Sequence, residues 1–412
     1  MNRWLSLGTL LALGSWLAAG CGSSGALQGD GEAAATCSSL GGTCVLGNVS
    51  CVHQAPNASQ LCNPDLNLGG AFCCLDTASP DAGSSDAPPG DSSGPGSPGG
   101  VFATLDDQPV ALAVVGSSVY VALFIQGIVA IPSTGGASTP IVPSVGGYSL
   151  GVYFQNPFVF DQTNLYWSES SGGYTSGPIA RAPIGGGPTT VLASSLGFTA
   201  GIASDADSVY WVDQDQGTIN RVPIAGGSTT IVASGLASPG GLTLQNGTLY
   251  LTDAAGDLLS VPASGGSVTT LLAGPGLPPD TEVADYSPPV VADRSNVYFS
   301  VCPFGTGSAT LYRVPLGNGG PPVALASACA TGIAVDEDTV YWAGKGSIDA
   351  VPIAGGPVRV VATSTQLISA GPAVDATSVY WGITPQLGTC ENCPPPPTGQ
   401  INAVMRAPKA AE

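Results

Sequence analysis

From Val101 onward the chain is written in short apolar runs of strand-forming residues, separated by Gly, Pro, Asp, Ser and Asn. Runs of this length and composition, bounded by turn residues, predict β-strands. They come in sets of four. The clearest set is Gly201-Ile-Ala-Ser-Asp205 (a), Ser208-Val-Tyr-Trp-Val212 (b), Thr218-Ile-Asn-Arg-Val-Pro-Ile224 (c) and Thr229-Thr-Ile-Val-Ala-Ser234 (d). A near copy starts at Gly332. Aligned on the tyrosine of run b, the copies fall at Tyr120, Tyr166, Tyr210, Tyr250, Tyr298, Tyr341 and Tyr380, in steps of about 39 to 48 residues.

The turns repeat with the strands. The short a–b connection is opened by Asp161, Asp205, Asp293, Asp336 and Asp375. An Asp there accepts bonds from its own turn backbone, so these are expected to be turn formers rather than a ligand ring. The c–d connection holds a Gly-Gly pair at Gly135, Gly186, Gly226, Gly265, Gly319 and Gly355, where glycine permits the positive φ of a tight hairpin. The b–c and d–a connections vary widely in length. Successive strands run antiparallel, so all the long connections share one face, where binding is usually placed.

The two ends complement each other. The last copy stops after run c, at Ile401–Pro408, and Gly99–Leu105 reads as an isolated Gly-Gly plus run d. Seven complete blades result if the N-terminal strand pairs into the last one, which removes the open edges. The expected fold is all-β, a seven-bladed β-propeller of four-stranded blades, its N-terminal strand closing the last blade. An open array of repeats is the alternative. The repeated Val-Tyr-Trp followed by x-Val-Pro-x-x-Gly-Gly resembles the YWTD and NHL propellers. That resemblance implies the fold, with the aromatics filling the space between blades, and little about activity.

Ahead of the repeats the pattern changes. Arg3 and the apolar stretch Trp4–Leu17 form an export signal too short to span a bilayer. Leu17-Ala-Ala-Gly-Cys21 resembles a bacterial lipobox, which implies acylation of Cys21 and a cell-envelope, outer-membrane address. Of 11 Cys in the chain, removing Cys21 leaves an even number for disulfides, as an oxidising compartment favours. The expected organisation is signal peptide 1–20, tether 21–36, cysteine-rich module 37–76, Pro/Gly/Ser linker 77–100 and propeller 101–412. Cys37, Cys44, Cys51, Cys62, Cys73 and Cys74 staple the small module in a connectivity the sequence leaves open. Cys302 pairs with Cys329, stapling adjacent loops of the long-loop face, and Cys390 pairs locally with Cys393.

Charge narrows the function. Charged residues are 9% of the chain, yet the net charge is −19, with only nine Lys+Arg. A reader of phosphate backbones needs a basic footprint, so nucleic acid is excluded as a partner. The membrane is met through the lipid anchor only, and the chain is expected to be monomeric. The single His, His53, lies outside the propeller. His-based lyase chemistry and a Ser-His-Asp set are therefore excluded there. No cofactor is required. An all-oxygen Ca²⁺ site is the one the acidic loops could supply, although no run has the spacing of a known Ca²⁺ loop.

The expected function is non-catalytic binding or scaffolding of a protein or small ligand of the cell envelope, through the long-loop face. Candidate binding residues are Asp213, Asp253, Asp257, Asp280 and Asp285. Replacing the first three with Asn is expected to weaken binding while leaving thermal stability nearly unchanged. The alternatives are a metal-dependent lyase or hydrolase with Asp, Glu or Asn ligands, and an outer-membrane assembly factor.

Overall fold

A computed structural model of the protein describes residues 42–46, 71–75, 99–143, 158–170, 176–194, 197–274, 289–302, 309–317, 320–344, 346–385 and 400–409. Contacts divide the chain into two units, Met1–Asp91 and Ser92–Glu412. In the first, strands Gly42–Leu46 and Ala71–Leu75 pair antiparallel, with Cys44 opposite Cys73. The other cysteines of the 37–76 module, apart from Cys74 on the second strand, lie outside the described residues, as does Cys21.

The second unit is a seven-bladed β-propeller of four-stranded antiparallel blades. Blade 3 shows the plan: a is Thr199–Ser204, b Ser208–Asp213, c Thr218–Pro223 and d Thr230–Ser234. Blade 7 is assembled from both ends of the chain, in the order Leu367–Val374, Ser378–Thr384, Asn402–Pro408 and Gly100–Leu105. The N-terminal strand is its outer strand, with Leu105 opposite Asn402 and Val101 opposite Met405.

Closure of the ring is visible in the core, which consists of one hydrophobic cluster per seam between blades. One cluster joins Val119, Val121 and Ile131 of blade 1 to Tyr380 and Val404 of blade 7. An open array would lack this seam. The b strands feed both neighbours, because side chains alternate across a strand. Tyr166 packs toward blade 3 while Trp167 packs toward blade 1. Tyr210 and Trp211, Tyr341 and Trp342, and Tyr380 and Trp381 divide in the same way. The repeated Tyr-Trp is thus a two-sided plug, each ring filling a different seam.

The inner strands approach very closely. A Cβ on Gly332 would run into the carbonyl oxygen of Gly371, and one on Gly201 would meet the amide nitrogen of Leu242. The seven inner strands carry no ionisable side chain. At the rim, every c–d pair contains a register shift at the equivalent place. Such a bulge bends an exposed edge and discourages further strand addition.

Polar bonds reinforce the seams on the short-turn side. Arg181 stands across the ladder from Tyr166 and donates from Nη1 to the carbonyl of Ile224 in the next blade, at 2.6 Å. Arg221, Arg313 and Arg406 hold the same register and reach Ala263, Ile353 and Ser133 of their next blades. In blade 1 the hydroxyl of Tyr120 replaces the arginine and donates to Ile184 O at 3.1 Å. In blade 6 Ala350 holds the arginine's place, and Arg359, beside it on strand d, reaches the carbonyl of Lys409. Each acceptor is the residue that follows the proline of strand c.

The turn aspartates do what turn chemistry predicts, and one thing more. Asp161 Oδ1 accepts from the amides of Thr163 and Asn164, and Oδ2 accepts from the Tyr166 hydroxyl at 2.6 Å. Asp205, Asp293, Asp336 and Asp375 repeat this with Tyr210, Tyr298, Tyr341 and Tyr380. Burial alone would raise the Asp161 carboxyl, but the Tyr166 hydroxyl and the turn amides outweigh it and hold the pKa at about 2. Asp293, Asp336 and Asp375 are lowered by the same balance, with Lys409 the strongest of the opposing partners at Asp336. Burial first, and then the bond to Asp161, push Tyr166 up to about 12.

A carboxyl whose pKa is lowered on folding adds stability above its unfolded pKa, and that stability is lost as pH falls through the folded value. The thermal midpoint is therefore expected to fall as pH drops from 3.8 toward about 2. Asp161→Asn should flatten that acid limb in a pH series of melting curves. A limb unchanged by the substitution would count against the turn carboxylate as its origin.

Candidate functional site: the long-loop face

The b–c and d–a connections gather on one face, as the antiparallel blades require. Asp106, Asp107, Asp213, Asp215, Asp253 and Asp257 lie there, with no Lys or Arg among the described residues of these connections. Every described Lys and Arg belongs to the short-turn side, where most are spent on the seam bonds and offset the turn aspartates. Among the described residues, the propeller's net negative charge is thus concentrated on the long-loop face.

Most of these carboxylates brace the loops that carry them. Asp213, at the end of strand b and 3% exposed, accepts from Gly197 N through Oδ2 and from Gln216 N through Oδ1, both at 2.9 Å. Gly197 must be glycine, since a Cβ there would collide with the Asp213 carboxylate. Asp215 accepts from Phe198 N at 2.8 Å. Asp253, 8% exposed, takes the amides of Ala255 and Asp257 on Oδ1 at 3.0 Å each, and Asp257 takes Gly274 N at 2.7 Å. Asp107 Oδ2 receives the amides of Ile125 and Gln126. Across blades 1, 3 and 4, then, an Asp links a b–c loop to a d–a connection. Burial raises the Asp253 carboxyl, partly offset by its backbone bonds.

Of the five candidate residues, Asp213, Asp253 and Asp257 are on this face, in two different blades, and do not converge on one point. Asp280 and Asp285 lie outside the described residues. Among the described residues no three carboxylate, imidazole or thiol groups come together as a metal would require. The expectation that Asp→Asn leaves stability unchanged gives way to the opposite one. Asn at 213 would turn one acceptor into a donor facing a backbone N–H in a buried site. Asp213→Asn is expected to destabilise by about 1–3 kcal/mol, the cost of an unsatisfied buried pair, as read from urea denaturation. A change below measurement error would show that the loop brace is dispensable.

The Cys302–Cys329 disulfide is present, with Cα atoms 5.2 Å apart. It ties the b–c loop of blade 5 to the connection entering blade 6. Beside it, Ser300 Oγ accepts from Ala330 N and donates to Ala330 O, at 3.3 Å each. Cys390 and Cys393 lie outside the described residues. Sequence reasoning missed the loop-bracing role of Asp107 and Asp215 and the cross-blade arginines. The arginines left a signal, the recurring Arg-x-Pro of strand c at Arg181, Arg221, Arg313 and Arg406.

No family model matches the chain, and no curated protein matches it. Solved structures of similar fold include the WD40 domain of Neurospora crassa Pan2, at 7% identity over 74% of this chain and 90% of that one, TM-score 0.52. The computationally designed Ika8 protein matches at 12% identity over 76% of this chain and 100% of its own, TM-score 0.51. A chain of a nidogen/laminin complex shares 19% identity over 54% of this chain and 85% of that one, TM-score 0.41. The likeness to the first two, at such identities, establishes architecture alone: the chain carries a β-propeller repeat domain.

Proposed function

We propose that this protein is a non-catalytic binding or scaffolding lipoprotein of the cell envelope, anchored through Cys21, that meets its partner with the long-loop face. The observation that carries the reading is the segregation of net charge among the described residues: carboxylates without cations on one face, and on the other cations that offset the turn aspartates. Such a face attracts cationic groups on a partner, with an association rate that falls as salt rises. The inner strands favour binding over channel chemistry, because they place no ionisable side chain along the channel.

A photo-crosslinking residue placed in living cells at Ile125, which is 59% exposed on the long-loop face, is expected to capture a partner. The same residue at Ala225, in a c–d turn, is expected to capture none. Capture from Ala225 alone would put the function on the other face. Labelling with a palmitate analogue should tag the protein and be abolished by Cys21→Ser. Equal labelling of that variant would remove the anchor from the reading.

A further inference from the structure

The seven seams are not equally secured. Six carry a donor that crosses to the carbonyl after the next blade's strand-c proline. The seam between blades 4 and 5 departs from this on both sides. Across the ladder from Tyr250 stands Ser260 rather than Arg, and its hydroxyl turns back to the Thr269 carbonyl of its own blade. The receiving turn of blade 5, Leu316-Gly-Asn-Gly-Gly320, has one residue more between Pro315 and its Gly-Gly pair than the turns after Pro183, Pro223 and Pro352. The a–b turn of blade 4 has Gln245-Asn246-Gly247 where five blades have a turn Asp, so Tyr250 has no turn carboxylate to bond. The apolar packing of this seam comes from Tyr250, Leu258, Val290, Val297, Phe299 and Val314.

The seams made by the chain ends are better secured. Between blades 7 and 1, Arg406 crosses to Ser133 O, Phe102 packs edge-on against Tyr380, and Ser369 Oγ donates to Pro109 O at 2.7 Å. Between blades 6 and 7, Lys409 Nζ pairs with Asp336 at 2.7 Å, the one ion pair among the described residues. Between blades 5 and 6, Arg313 and the Cys302–Cys329 disulfide act together.

We propose that the ring opens between blades 4 and 5, and not where its termini meet. Local openings take the route that breaks the least, and here, among the described residues, no arginine has to leave the carbonyl after the next blade's strand-c proline. Opening at this seam parts the inner strands Pro239–Gln245 and Val290–Ala292. The channel can then widen while the closure by the N-terminal strand stays intact.

The valine before the b-strand tyrosine gives a matched probe of five of the seven seams. Val297, Val209, Val340, Val379 and Val119 are all fully buried, each in a different seam. Each is replaced singly by Cys in the full chain, and thiol labelling is followed under native conditions. Val297→Cys is expected to label roughly tenfold faster than the other four, the effect of one missing hydrogen bond from a charged donor. Adding Ser260→Arg should slow labelling at 297 by a similar factor and leave the others unchanged. In the protein without added thiols, Ser260→Arg should raise the thermal midpoint. Equal rates at all five positions, fastest labelling at Val119→Cys, or no effect of Ser260→Arg on either readout would overturn the proposal.

Discussion

Replacing Val101–Leu105 with a Gly-Ser spacer of equal length in the full chain is expected to abolish cooperative thermal unfolding or to drive aggregation. The replacement strips blade 7 of its outer strand and leaves Asn402–Pro408 as a bare edge. It also removes Phe102 from its edge-on contact with Tyr380 and from beneath the Arg406 guanidinium, 5.2 Å above the ring. Phe102, Ala103 and Leu105 all pack on the cluster that joins blades 7 and 1. Loss of a ladder and three apolar side chains amounts to roughly 5 kcal/mol or more, comparable to the whole stability of many domains. Calorimetry of the two chains side by side is the measurement. Equal midpoints would show that the ring closes without the N-terminal strand.

Trp381→Ala is expected to cost about 3–5 kcal/mol, the usual range for emptying a buried aromatic site, as measured by urea denaturation. Trp381 is fully buried in the seam between blades 6 and 7. It also lies where a Cβ on Gly99 would have to be, so the N-terminal segment rests against it. Trp381→Phe should cost less than half as much. The indole Nε1 is buried without a hydrogen-bond partner, so removing it also removes a desolvation penalty. Equal costs for Ala and Phe would show that a six-membered ring recovers none of the packing lost with the indole.

Much of the architecture is legible without coordinates, because it is local and repeated. Tyr-Trp on strand b, Asp in the a–b turn and Gly-Gly in the c–d turn each answer to a short-range rule of strand alternation or turn geometry. The missing run d at the C-terminus and the spare one at Gly99–Leu105 identify the closing blade by count alone. The pairing of Cys302 with Cys329 follows from their chain positions once the loops are assigned to one face.

The role of each acidic loop residue was decided by tertiary structure. Asp213, Asp253 and Asp257 look like free surface charge in a list of loop residues. In the fold their oxygens meet the amides of Gly197, Gln216, Ala255, Asp257 and Gly274. Whether a carboxylate faces solvent or a neighbouring backbone depends on where a second loop lies, and that loop is set by the blade beside it. The cross-blade arginines are the same case: Arg181 and Ile224 are 43 residues apart, and nothing local to either marks the other as its partner. Strands, turns, blade count and the sign of the charge follow from local pattern and composition. The tertiary structure alone decided which charges are spent inside the ring and which remain on its face, because hydrogen bonds between blades depend on distances that only ring closure fixes.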